Sequence, residues 1–161
     1  ARADWLPVGV NTGEAVQVNC HQNLDFGTIS IPANNAAGTV SVAAASTLAG
    51  ATSFITIGRQ PAVCTVTDVF KEAGAIAALA GGYGSFNSGT GELTGAVLTR
   101  TTPTTATLGV TLVLSQWQGI TTPGGAGATG TAVYVGGTLT VPANFTAFGL
   151  YTESFTITIT D

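Results

Sequence analysis

In residues 106–116, Leu108, Val110, Leu112 and Leu114 alternate with Thr107, Gly109, Thr111 and Val113. This is the period-two spacing of a strand with one face in a core. The same pattern closes the sequence, where Phe155, Ile157 and Ile159 alternate with Thr156, Thr158 and Thr160. Segments of this kind, punctuated by Gly, Pro and Asn, predict strands near 15–20, 24–31, 38–43, 52–58, 63–69, 92–99, 106–116, 131–141 and 150–160. The expectation is an all-β sandwich. One stretch reads differently. The alanines of VFKEAGAIAALAG (69–81) predict a short surface helix, weakened by Gly74. The glycine-rich stretches 81–91 and 121–130 read as loops.

At 161 residues the chain fits one domain with a sizeable core. Only 7% of its residues are charged while 45% are hydrophobic, against about 25% charged in an ordinary soluble domain. Water must then meet Thr, Ser, Asn and Gly, on a surface with little repulsion to keep copies apart. The net charge of -4, with Arg2, Arg59, Lys71 and Arg100 scattered, argues against nucleic acid, which needs clustered cations. No apolar run approaches the roughly 20 residues of a membrane-spanning helix. The first residue is Ala1 instead of Met, from which we expect a removed leader and secretion. Cys20 and Cys64 have no Cys/His company of the kind a metal site needs. They read as one disulfide in an oxidising compartment or as two buried free thiols.

No catalytic constellation emerges, and the expectation is a protein that is not an enzyme and uses no cofactor or metal. Gly125, Gly127 and Gly130 match a nucleotide-binding spacing, but TAVYVGG follows, which is strand where that fingerprint needs a helix. His21 stands beside Cys20, yet a disulfide-bonded sulfur cannot act as a nucleophile. Asp68 and Glu72 flank Lys71 as a solvated patch, and Asn144-Phe145-Thr146 is a glycosylation sequon. Trp5 and Trp117 are candidate anchors or sugar platforms.

The segments NLDFGTISIP (23–32), AAGTVSV (36–42) and VGGTLTVPANFTAFGLYTESFTITITD (135–161) resemble a secreted bacterial fimbrial-type β-sandwich family. More distantly, the layout is similar to archaic chaperone-usher pilins. The resemblance covers the first third and the last sixth of the chain. It implies an immunoglobulin-like, pilin-like β-sandwich completed by a donated strand, with residues 1–12 as an N-terminal extension and residues 13–161 as the domain. In the extension, Leu6, Val8 and Val10 alternate with Pro7, Gly9 and Asn11, as an edge-adding strand requires. The residues alone allow this segment to fold onto its own domain or to enter a neighbour; the resemblance implies the neighbour. Leu6, Val8 and Val10 would then be the donor residues, and Phe155, Ile157 and Ile159 the acceptor-edge strand. The implied function is a structural subunit of an extracellular bacterial fimbria or pilus, serving adhesion and biofilm formation. Its partners would be identical subunits, with a periplasmic chaperone and an outer-membrane usher. The alternative reading is a carbohydrate-binding adhesin or lectin-like module using Trp117, Tyr83 and Asn87.

Overall fold

The computed structural model describes residues 16–124 and 129–161. Among them there is no helix, and the architecture is all-β and antiparallel throughout its strand pairs. The strands are β1 (Gln17–Gln22), β2 (Thr28–Ser30), β3 (Gly38–Val42), β4 (Ile55–Ile57), β5 (Ala62–Thr67), β6 (Ile76–Ala80), β7 (Ser85–Asn87), β8 (Glu92–Arg100), β9 (Ala106–Leu114), β10 (Thr131–Val141) and β11 (Thr156–Thr160). Seven form one sheet in the order β1-β5-β10-β9-β8-β7, with β3 also on β10.

The longest strand, β10, organises this sheet. One edge takes β9, from Val135 opposite Leu114 to Leu139 opposite Val110. Its other edge is divided. Residues 131–135 pair with β5, and residues 137–141 pair with β3. Gly136 marks the change of partner. A Cβ at this position would lie 2.2 Å from the Val42 carbonyl oxygen and 2.5 Å from the Ala44 nitrogen, so only glycine lets the chain leaving β3 pass so close. In β8, the register shifts between Leu93 and Ala96, where Gly95 adopts φ 73°, the left-handed backbone that a bulge of this type demands.

The inward residues of the large sheet include Val40, Val42, Val66, Leu93, Leu112, Leu114 and Val133, all essentially inaccessible to solvent. The second layer is the β6–β11 ribbon. Ala77, Leu79 and Ile159 join the same core, with Phe155 and Ile157 packed against it as partly buried residues. The architecture is consistent with a β-sandwich. Alternation in β11 is as the sequence predicts: Thr156, Thr158 and Thr160 are exposed while Ile159 is buried.

The expected helix at 69–81 is not formed. Residues 76–80 are β6, preceded by a turn in which Gly74 (φ 88°) donates to the Lys71 carbonyl. Ala77 and Leu79 lie two apart and both enter the core, and that burial in a paired strand outweighs the alanines' helical preference. Asp161 secures the turn: its carboxylate accepts the backbone N–H groups of Phe70 and Lys71 at 3.0 and 2.9 Å. The 81–91 stretch, expected as loop, contains the short strand β7.

A second ribbon, β2–β4, reverses the usual orientation. Ile29 of β2 packs against the core, and its register partner on β4 is Thr56. Ile55 and Ile57, one step either side, are therefore turned outward and are 75% and 76% exposed.

Candidate functional site

The sequence-predicted site residues fall into two groups. Cys20 and Cys64 form a disulfide, with S–S 2.03 Å, between directly opposed positions of β1 and β5. Cys64 is buried and Cys20 is exposed, so the bond ties the outer strand β1 to the sheet. The cysteines are thus unavailable to His21 as nucleophiles. Leu6, Val8 and Val10, with Trp5, lie outside the described residues, as do Gly125 and Gly127.

The terminal strand has neighbours in its own chain. Along one edge β11 pairs with β6, from Thr156 opposite Ala80 to Thr160 opposite Ile76. Just before it, Thr152 exchanges backbone hydrogen bonds with Thr99 of β8, at 2.9 and 3.0 Å, and so anchors the approach to β11 on the large sheet. β1 comes close to β11 where the two layers meet. Phe155, Ile157 and Ile159 all turn toward the core, but only Ile159 is fully buried.

A groove of about 730 Å³ lies on the outer side of the β6–β11 ribbon. Ile76 and Thr158 come from the ribbon, Phe86 from β7, and Trp117 and Gln118 from the segment after β9. The walls are held together through the backbone. Ala75 and Ile120 exchange hydrogen bonds at 2.7 and 3.0 Å, and the Ala77 N–H donates to the Trp117 carbonyl at 2.9 Å. A Cβ at Gly74 would lie 2.5 Å from the Gly119 carbonyl carbon, a close approach that brings the two walls together.

Trp117 is fixed within this wall. Its indole Nε1–H donates to the Ser88 carbonyl at 3.0 Å, and Gln118 Nε2 donates to the same oxygen at 3.2 Å. On the ring itself Gly91 packs so tightly that a Cβ would lie 2.5 Å from Cε3. Lys71 is the charged residue of the lining. The Asp161 carboxylate accepts the Lys71 backbone N–H at 2.9 Å, which sets a negative group close to this lysine. Of the three residues expected in a sugar site, the groove takes only Trp117. Tyr83 is 93% exposed, and Asn87 uses its side chain to accept the Gly89 N–H in a tight turn; neither lines the groove. Sequence reasoning missed Phe86 and Gln118, which no local motif marks.

Among the described residues, no group of three or more His, Cys, Asp or Glu is placed to hold a metal ion. No helix there is long and apolar enough to cross a membrane. The Asp68/Glu72 pair occupies the turn region before β6 instead of a shared helical face.

A family described as "Domain of unknown function (DUF4402)" matches residues 16–160. The chain belongs to this family. No curated protein and no solved structure matches it. The DUF4402 match starts one residue before β1 and ends with the last residue of β11, spanning all the strands described above. Leu6, Val8 and Val10 lie before the matched residues.

Proposed function

We propose that this DUF4402 chain is a structural subunit of an extracellular bacterial filament, a fimbria or pilus, whose copies are joined by strand exchange. The observation that carries this reading is positional. The extension that precedes the domain leads into β1, and β1 runs close to β11, whose Phe155 and Ile157 are only partly buried. An extended segment with Leu6, Val8 and Val10 on one face has the period to lie along such a strand, its main chain adding to the ladder and its side chains filling alternate pockets. Burial of those side chains in a neighbour would contribute roughly 1.5–3 kcal/mol each.

Three further features support it. A surface with 7% charged residues suits close association. The disulfide fixes β1, the strand that would bear the pull between subunits, to β5, and such bonds persist outside the reducing cytoplasm. Donation from one copy to the next does not close on itself, so its product is a filament. In this reading the domain is an immunoglobulin-like, pilin-like sandwich, secreted through the periplasm with a chaperone and an usher as transient partners.

The test is removal of residues 1–12, with negative-stain microscopy of the purified protein. Loss of filaments, with the same loss in Val8→Asp, where a carboxylate would be desolvated without a partner, is the expected result. Normal filaments from the truncated chain would refute strand exchange.

A further inference from the structure

We infer that the groove beside Trp117 is a binding site for a neutral saccharide. This goes beyond the filament reading and does not depend on it. The lining pairs an aromatic platform with short hydroxyl and amide groups: Trp117 and Phe86 with Ser88, Gln118, Thr158 and Thr160. A pyranose ring presents the complementary surface, an apolar face of C–H groups bordered by hydroxyls. Burying that face on the indole removes apolar area from water while the rim groups take up the hydroxyls.

Three observations favour a sugar over the other occupants such a groove could take. First, the platform is held ready. The Ser88 carbonyl and Gly91 fix the Trp117 ring, so little side-chain freedom is lost on binding. Second, much of the main chain in the groove wall is already committed. β6 pairs with β11, the Ala77 N–H donates to the Trp117 carbonyl, Ala75 exchanges hydrogen bonds with Ile120, and the Ser88 carbonyl accepts from Trp117 and Gln118, which leaves little of the ladder by which an extended peptide binds. Third, charge does not select an anion, because among the described residues Lys71 is the one charged residue of the lining and the Asp161 carboxylate sits on its backbone N–H. At about 730 Å³ the space falls within the usual range for small-ligand sites and accepts more than one sugar ring.

The experiment uses the full chain with Trp5→Phe, which leaves Trp117 as the only tryptophan. A panel of neutral α- and β-linked hexopyranose di- to tetrasaccharides is titrated while indole emission and saturation-transfer NMR are recorded. The expected result is a saturable response to at least one linkage, with dissociation constants of about 1 mM or tighter. Trp117→Ala should weaken it about tenfold or more, and Trp117→Phe should retain part of it. Gln118→Ala, which leaves the platform in place, should weaken it less. Thermal unfolding confirms that each variant is folded, and filament formation by Trp117→Ala tests the other reading separately. The proposal is overturned if no member of the panel gives a saturable response, if folded Trp117→Ala binds as well as its parent, or if a peptide of residues 1–12 perturbs Trp117 where the sugars do not.

Discussion

Asn35 Oδ1 accepts the backbone N–H of Phe145 at 2.8 Å, joining a turn near the start of the chain to one that follows β10. The Asn35 amide nitrogen donates to the Ala36 and Pro142 carbonyls at 2.8 and 3.0 Å, and its own carbonyl accepts the Asn144 N–H at 2.9 Å. Asn35 is buried, and truncation removes three part-buried side-chain hydrogen bonds at once. Asn35→Ala should cost about 1–3 kcal/mol, the net loss of that set of bonds. A urea denaturation midpoint measured beside the parent checks this. A change within about 0.5 kcal/mol, the range of an ordinary surface substitution, would show that the clasp is dispensable.

The Cys20–Cys64 bond closes a loop of sequence separation 44. For such a loop the chain-entropy estimate is about 4 kcal/mol, an upper figure because the unlinked chain retains some structure. The unreduced, denatured protein should take up no alkylating reagent. The double variant Cys20→Ser with Cys64→Ala should unfold at markedly lower temperature while keeping its strand signature in circular dichroism. Two alkylated thiols without reductant would contradict the bond.

Gly136 is where β10 exchanges β5 for β3, with the Val42 carbonyl in the space a side chain would take. Gly136→Ala should destabilise by about 1–3 kcal/mol or more, the usual cost of overpacking a closed interior. Gly109→Ala on β9, where a Cβ meets nothing within 4 Å, should be close to neutral. Comparable losses in the two variants would show that intrinsic strand preference, not the approach of β3, sets the cost.

The strands that carry clear alternation, among them β9 and β11, were legible because each has one wet face and one dry face and the sequence records the difference. β6 was not. IAALA is apolar on every side and rich in alanine, and only the tertiary fact that Ala77 and Leu79 share the core decides between helix and strand. β7 spans three residues within a glycine-rich stretch, too short for any period to appear. The outward isoleucines of β4 defeat a pattern reading in another way, since the apolar side chains of that strand are the exposed ones. Of the groove's lining, only Trp117 is a ligand-binding candidate from the sequence. Its walls come from residues near 71–78, 86–88, 117–119 and 158–160, and nothing local connects segments so far apart.

The divided edge of β10 also bears on the order of folding. β3 and β5 are complete by Thr67, yet the strand that both require begins at Thr131. During synthesis, the strands bearing Val40, Val42 and Val66 have no β10 to pair with until the segment from Thr131 has been made. Pairings this distant are slow, because the intervening chain must be ordered before any contact rewards it. Uncovered strands of this kind are prone to pair with the wrong chain while they wait. The pairings that join β3 and β5 to the rest of the sheet therefore form late, and the nascent chain benefits from being shielded until β10 has been made.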